Sequence, residues 1–328
     1  MNKNKTNKSI KTKNKIEIEL KHELSKARRI VKNGAYIVRN AMLELAATKS
    51  FNSAPVFELI DAIYTSLNRN KFALIGMCRM KNPHEYMYTH SLSTCVLVVA
   101  MAIELELDEQ KIQEIALGAL LGDVGKLRVK KNILNKPGKL TEDEFEEVKK
   151  HASYTSSLLE ESRVFSELSI QAAAEHHERW DGSGYPHGIS GRKISIAGQI
   201  TAIADVYDAL TSPRCYMNAV EPTDILQKMM QWSDVQFNPE LVKKFIKLMG
   251  KYPVGTYVAL SNGSIAVVTE QNSESILMPT IRPIYDLKEK KMLQEENILH
   301  LADYSDKLKI IKHVNQAKLN FNPIVVFG

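Results

Sequence analysis

The sequence predicts a mainly α-helical protein with a small β appendage near its C-terminus. Apolar residues recur at helical spacing through most of 16–250, and helix-start and helix-stop residues punctuate this stretch. After Tyr252 the pattern changes to short β-branched runs separated by turn residues. A chain of 328 residues is long enough for two or three structural units with a sizeable core.

The composition shifts divide the chain into five segments. They are a lysine-rich tail (1–15), an N-terminal helical region (16–82), a central helical domain (83–250), a β appendage (251–300) and a C-terminal extension (301–328).

The basicity of the chain belongs to its tail. Residues 1–15 contain six lysines and no acid, so the net charge of +6 leaves the remainder balanced at 6 − 6 = 0. Lysine interleaved with Asn, Thr and Ser lacks the apolar residues that order a segment, and we expect a disordered tail. A block of like charge alone also admits contact with nucleic acid or anionic lipid, but we favour a solvated tail and expect no nucleic-acid polymer as partner.

Helical periodicity begins after the tail. Phe57, Leu59, Ile60, Ile63 and Leu67 follow one another at the spacing of a buried helix face. A small helical region of this kind could pair with a second copy of the chain, so a homodimer is one possible assembly.

The central domain carries clear helix boundaries. Thr141 followed by Glu144 has the form of a capping box and predicts a helix to about Leu159. Asn238-Pro239 predicts a second helix start, with Gly250 just past its last apolar residue.

The segment after Tyr252 predicts a small antiparallel sheet. Short β-branched runs stand at 254–260, 265–269 and 276–278, separated by turn residues. Residues 323–327 could add an edge strand.

The cysteines and the apolar stretches indicate the compartment. Cys78, Cys95 and Cys215 are odd in number and widely spaced, which favours free thiols in a reducing environment. No apolar signal-peptide core follows the tail, and the longest apolar stretch, 96–103, is too short to span a bilayer. We expect a cytoplasmic protein without a membrane span.

The central domain holds a mixed set of imidazoles and carboxylates. Such nitrogen and oxygen donors suit iron, manganese, zinc, nickel or cobalt better than calcium or magnesium. Since no cysteine belongs to the set, an open catalytic site fits better than a closed structural zinc site. The residues are His90, Asp123, His151, His176, His177 and Asp205.

Taken singly, most of these residues have an ordinary structural interpretation. His90 opens an apolar helix, which is typical of a core residue. His151 ends a charged helix face, which is typical of a surface residue. Asp205 stands among apolar neighbours, where a carboxylate needs a partner or a metal. The pair His176-His177 differs, because adjacent histidines can bind one ion only at a helix end or kink.

Several motifs together resemble one family. The chain resembles the HD-GYP family of the HD superfamily, bacterial phosphodiesterases that open cyclic di-GMP, over roughly 83–250. The matching segments are Tyr88-Thr89-His90-Ser91, Leu120-Leu121-Gly122-Asp123-Val124-Gly125-Lys126, the stretch 133–141, the run from His176 to Pro186, and the run from Asp205 to Ser212. The fold that this resemblance implies is a helical bundle.

The resemblance also implies roles for single residues. Asp123 would bridge two metal ions, of which iron and manganese are the favoured identities. His90 and Asp205 would bind the first ion, and three histidines would bind the second. Those three are His151, His176 and His177. Lys126 and Arg214 would face phosphates of the cyclic dinucleotide, and the turn Gly184-Tyr185-Pro186 would shape its pocket.

Two positions depart from the family pattern. Gly122 stands where the family has a histidine ligand, and Met217 stands where a lysine or arginine is frequent. Glycine offers no donor atom, so we expect one firmly bound metal ion and a second that is weaker.

Three functions stay open on these residues. The first is a metal-dependent cyclic-dinucleotide phosphodiesterase, weakened by Gly122. The second is an inactive sensor of cyclic di-GMP, or a scaffold for signalling proteins, with one retained metal. The third is hydrolysis of another phosphate ester, which the Gly184-Tyr185-Pro186 turn disfavours.

Overall fold

The structure, a computed structural model, describes residues 3–79, 86–212, 219–272, 274–293, 297–304 and 307–315, with side chains from His22 onward. Helices dominate up to Met249, and a small antiparallel sheet follows. The mainly α-helical prediction with a C-terminal β appendage is therefore confirmed.

Two long helices form the N-terminal region: α1 (Lys3–Thr48) and α2 (Ala54–Cys78), which pack against each other. The helical backbone from Lys3 corrects our expectation of a disordered tail for residues 3–15. Neither glycine nor proline interrupts the chain before Gly34, and lysine is a good helix former, so an established helix extends at little cost.

Helix α2 changes direction at Asn70, whose backbone is extended (φ −152°, ψ 94°). The Asn70 side chain accepts hydrogen bonds from the backbone N–H groups of Phe72 and Ala73, both at 3.1 Å. It therefore acts as an internal N-cap that restarts the helix.

The central domain is a bundle of shorter helices whose caps follow the sequence. Both halves of the predicted capping box are formed by Thr141 and Glu144, and Asn238 caps the last helix, which ends at Gly250. The helices are α3 (Tyr86–Glu104), α4 (Glu109–Leu121), α5 (Lys131–Leu134), α6 (Glu142–Ser162), α7 (Glu167–Ala174), α8 (Ile196–Thr211), α9 (Pro222–Gln231) and α10 (Pro239–Met249), with a 3₁₀ turn at Val124–Arg128.

Helix α3 is the centre of the main core and packs against α1, α2, α4 and α8. Its residues Tyr86–Glu104 are long and apolar enough, by length and composition, to cross a membrane, and 78% of that window is buried inside the fold. Such burial is typical of a core helix. The uninterrupted apolar stretch 96–103 lies within this helix.

The sheet has the order β4-β3-β2-β1-β6, with β5 beside β3 and antiparallel pairing throughout the described strands. The strands are β1 (Tyr257–Leu260), β2 (Ser264–Glu270), β3 (Thr280–Asp286), β4 (Lys291–Met292), β5 (Leu299–His300) and β6 (Ile310–Val314). Strands β1 and β2 were predicted, whereas the predicted run 276–278 is not a strand and β3 was missed.

The appendage is larger than predicted, because β6 lies beyond residue 300 and pairs with β1. The expected edge strand at 323–327 lies outside the described residues. The sheet packs on the second half of α2, where Phe72 joins its apolar cluster and Gly76 lets Val254 approach closely. Arg79 donates to the carbonyl oxygen of Val254 at 2.7 Å, which fastens the appendage to the helical part.

Candidate metal centre

The ends of several helices place the predicted site residues around one point. Asp123 directly follows α4, and the pair His176-His177 directly follows α7, where the helix has ended as expected. His151 lies on α6, His90 on α3 and Asp205 on α8. Apart from Arg214, which lies outside the described residues, the structure brings the predicted set together.

Three histidines form the tightest cluster. Ligand atoms of His151, His176 and His177 all lie within 4.8 Å of one another. Oδ1 of Asp123 lies 3.7 Å from Nε2 of His151 and 3.9 Å from Nε2 of His176. This buried oxygen has no hydrogen-bond partner in the described part of the chain.

Backbone carbonyls orient two of these rings. Nδ1 of His151 lies 2.6 Å from the carbonyl oxygen of Val148, and Nδ1 of His176 lies 2.7 Å from that of Ala173. Because a carbonyl can only accept, both rings donate through Nδ1 and turn their Nε2 atoms towards the cluster. Metal-binding histidines are typically held in this way. The donor set and its orphaned carboxylate oxygen therefore fit a divalent metal ion.

Burial and neighbouring charges hold His151, His177 and Asp123 in the protonation states that bind a metal ion. Burial, together with the charge of Lys126, lowers the pKa of His151 to about 4, and burial lowers that of His177 well below its usual value. Although burial alone would raise the pKa of Asp123, the charge of Lys126 and the neighbouring histidines lower it. At neutral pH His151 and His177 are thus neutral imidazoles, and Asp123 is an ionised carboxylate.

His90 has different neighbours. Its Nε2 lies 2.9 Å from Oδ1 of Asp205 and its Nδ1 lies 2.6 Å from Oδ2 of Asp208. Burial alone would lower the pKa of His90, but these two hydrogen bonds raise it to about 9. The ring of Tyr86 stacks on the imidazole, with centroids 5.3 Å apart.

Sequence reasoning missed Asp208. A signal was present, because Asp205 and Asp208 are three residues apart among apolar neighbours and therefore share one helix face. Both are buried, and in the structure they bind the two nitrogens of one imidazole.

Gly122 lies at the C-terminal end of α4 with ordinary helical angles (φ −55°, ψ −29°). A Cβ atom there would meet the carbonyl oxygen of Gly118 at 3.4 Å and that of Ala119 at 3.6 Å, which is normal contact. A cavity adjoins this position, and its lining includes His90, Ser91, Thr94, Gly122, Asp123, His176, Thr201 and Asp205. Space at Gly122 is therefore compatible with a side chain.

The turn that carries Asp123 is fixed to α6 by Thr155. The hydroxyl of Thr155 accepts from the N–H of Gly125 at 2.9 Å and donates to the carbonyl of Gly122 at 2.8 Å. Gly125 must be glycine here, since a Cβ would lie 2.1 Å from the carbonyl oxygen of His151. Lys126 pairs with Oδ2 of Asp123 at 2.7 Å.

The turn Gly184-Tyr185-Pro186, whose last peptide bond is cis, covers one side of the cluster. The ring of Tyr185 lies 4.7 Å from that of His177, centroid to centroid. Glu178 is buried and accepts from the N–H groups of His187 and Gly188 at 2.7 and 3.1 Å. These bonds hold the loop against the histidines.

Comparison with known proteins agrees with this geometry. Residues 73–241 match the family model described as HD domain. The chain is 34% identical over 292 residues to the protein named cyclic di-GMP phosphodiesterase PA4108 from Pseudomonas aeruginosa, covering 89% of this chain and 70% of that one. The chain belongs to the HD-domain family, in its HD-GYP branch.

Other relatives are matched over shorter stretches. A protein named cyclic di-GMP phosphodiesterase from Thermotoga maritima is 34% identical over 65% of this chain and 58% of its own length. A protein named 3'3'-cGAMP-specific phosphodiesterase 2 from Vibrio cholerae is 39% identical over 43% of this chain and 27% of its own length.

A solved structure confirms the HD-GYP fold. Bd1817 from Bdellovibrio bacteriovorus, described as an HDG"Y"P protein, has a TM-score of 0.57 and 18% identity, covering 75% of this chain and 80% of that one. The HD domain implies divalent-metal binding, and the histidine cluster supplies a suitable donor set. The roles of single ligands stay predictions.

Proposed function

We propose that this chain is a metal-dependent phosphodiesterase that hydrolyses a cyclic dinucleotide, cyclic di-GMP first, to the linear dinucleotide. The observation that carries the proposal is the cluster of His151, His176 and His177 around the unpaired Oδ1 of Asp123. Relatives named as phosphodiesterases of cyclic di-GMP and of 3'3'-cGAMP support the substrate class.

Each part of the site has a task in this proposal. Asp123, His151, His176 and His177 would hold one divalent ion, and Asp123 would share a second ion with His90 and Asp205. Bound ions of this kind polarise phosphoryl oxygens and lower the pKa of a water between them. The buried carboxylates and imidazoles would act on the phosphate only through the positions at which they hold the ions, which would orient it for in-line attack.

Positive charge assists where negative charge develops on the phosphate. Lys126 lies beside Asp123 with its side chain 23% exposed, so its ammonium group can reach an entering phosphate. We assign Arg214 the same task from the sequence alone. The turn Gly184-Tyr185-Pro186 would form the wall of the dinucleotide pocket.

The two ions would differ in affinity. The first ion's donors, His90 and Asp205, bind each other in this structure, and Gly122 adds no donor to them. The second ion has three histidines and a carboxylate at hand. We propose one firmly bound ion, iron or manganese, a second ion of weaker affinity, and slow turnover.

A second candidate function is binding without hydrolysis. The observation that favours it is the closed group of His90, Asp205 and Asp208, which satisfies both imidazole nitrogens without a metal. Such a protein would retain one ion and sense cyclic di-GMP or dock signalling partners.

Metal analysis combined with a product assay distinguishes the two functions. The purified chain is incubated with cyclic di-GMP with and without added Mn²⁺ or Fe²⁺, and ions per chain and linear product are measured. Nearly two ions with linear product support the phosphodiesterase. About one ion, retained dinucleotide binding and no product under any condition would establish the sensor.

A further inference from the structure

A lysine lies between two aromatic rings at the edge of the histidine cluster. Nζ of Lys149 is 5.0 Å from the ring centroid of Phe145 and 5.7 Å from that of Tyr185. Phe145 and Lys149 are four residues apart on α6 and so share a face, while Tyr185 comes from the loop that covers the site. Both contacts have the distance of a cation–π interaction.

Packing does not account for Phe145. Its side chain is 45% exposed on a helix whose neighbouring positions are Glu142, Asp143, Glu146 and Glu147. A single exposed apolar residue is ordinary. The combination of an exposed ring, a second ring and a cation at one place is the composition of a surface on which a nucleobase stacks.

This surface continues directly into the metal centre. The Tyr185 ring lies 4.7 Å from the ring of His177 and 6.4 Å from that of His151. A phosphate held at the histidines therefore places the adjoining nucleoside within reach of Tyr185 and, beyond it, Lys149 and Phe145.

The lysine is available for a new contact. Its partner in the structure is Glu146 at 2.5 Å, and the Glu146 side chain is 64% exposed. An exposed pair of this kind contributes little, so a ligand can displace the carboxylate at small cost. Lysine also matches guanine, whose O6 and N7 are both acceptors, whereas adenine presents an amino donor at the corresponding position.

We propose that Phe145, Lys149 and Tyr185 form a stacking platform for a purine of the cyclic dinucleotide, with Lys149 donating to guanine. The platform rests on the proposed function, because it assumes a cyclic dinucleotide at the metal centre. It extends the substrate site from the loop onto α6 and gives the chain a preference for guanine over adenine.

Binding of slowly hydrolysed phosphorothioate analogues tests the platform in the metal-loaded full chain. Phe145→Ala and Lys149→Met should each weaken binding of the cyclic di-GMP analogue about 10-fold. Phe145→Leu, which keeps apolar area without a π face, should also weaken it. Lys149→Met should change the affinity for the cyclic di-AMP analogue by less than about 3-fold, since adenine lacks the O6 acceptor.

Matched control variants separate this effect from a general loss of charge or of an exposed ring. Lys243 pairs with Glu240 in the same i, i+3 arrangement on α10, and Phe57 is 42% exposed on α2. Lys243→Met and Phe57→Ala should bind like the wild type, and metal content should stay unchanged in every variant.

The possible outcomes are distinct. In one outcome, the wild type binds the cyclic di-GMP analogue while Phe145→Ala and Lys149→Met bind it as tightly as the control variants do. This result would overturn the platform and leave the phosphodiesterase proposal standing. A metal-loaded wild type that binds neither analogue and forms no linear product would overturn both.

Discussion

Nε2 of His151 lies 3.1 Å from Nε2 of His177. Since His151 donates through Nδ1 to the carbonyl of Val148, its Nε2 presents a lone pair towards the neighbouring ring. A divalent cation satisfies both nitrogens together with the unpaired Oδ1 of Asp123. The predictions below follow from this convergence.

Removal of His177 should release the firmly bound ion. His177→Ala leaves two histidines and one carboxylate, so metal affinity should fall about 100-fold or more. Metal content after gel filtration measures the loss, with circular dichroism to confirm folding. His187→Ala is the control, because His187 is exposed in the same loop. Full metal content in the His177→Ala protein would show that the ligand set is wrong.

Replacement of Gly122 by histidine should strengthen the weaker ion site. The backbone is helical at Gly122 and the nearest atoms leave room for a Cβ, so the variant should fold. We expect a second ion per chain and a turnover increase of about 10-fold or more.

Gly122→Ala is the control for this gain, because it adds a side chain without a donor atom. It should raise stability by about 0.4 to 1 kcal/mol and leave metal content unchanged. Equal turnover in the histidine and alanine variants would mean that the first site already has its full set of ligands.

Loss of the Thr155 hydroxyl should loosen the turn that carries Asp123. Thr155→Val removes two buried hydrogen bonds and leaves the N–H of Gly125 and the carbonyl of Gly122 unpaired. We expect a loss of about 2 to 4 kcal/mol in urea unfolding and a weaker metal affinity. Thr155→Ser keeps the hydroxyl and should retain the affinity; similar metal affinity in both variants would contradict this role.

The pH dependence of stability should reveal the group around His90. Its folded pKa is raised from 6.5 to about 9 by Asp205 and Asp208. The stabilisation is therefore fully present below pH 6.5 and is lost as pH rises through about 9, with a total of roughly 3 kcal/mol.

Chelator-treated protein is suited to this comparison, because a bound ion would compete for the same imidazole. The difference in unfolding free energy between wild type and His90→Gln should shrink between pH 6 and pH 10. The exposed His187→Gln variant provides the baseline. A His90→Gln difference that stays constant would show that the pKa of His90 is the same in the folded and the unfolded protein.

The site residues could be predicted because several motifs together resemble the HD-GYP family, and some of the structure that supports them could be predicted because it is local. The capping box of Thr141 and Glu144 depends on four consecutive residues, and the end of α7 before His176 is set by the segment around it. The role of Asp208 was missed because its partner His90 is 118 residues away. Such contacts arise from packing of α3 on α8, which periodicity does not specify.

The sheet shows a second limit of sequence reasoning. Strand β3 (Thr280–Asp286) contains Pro283, which argues against a strand, whereas the more apolar 276–278 forms none. Strand pairing decides the outcome: β3 lies between β2 and the short strands β4 and β5, and its register with β2 shifts beside Pro283. Irregular pairing of this kind accommodates a residue without an N–H group.

A single-turnover assay tests the central claim most directly, because it detects hydrolysis however slow the enzyme is. The chain is loaded with Mn²⁺, or with Fe²⁺ without oxygen, and is held in excess over cyclic di-GMP while the nucleotides are separated by chromatography. We predict conversion to the linear dinucleotide that is abolished by a chelator and by His177→Ala. Quantitative recovery of intact cyclic di-GMP from the metal-loaded wild type would contradict the account.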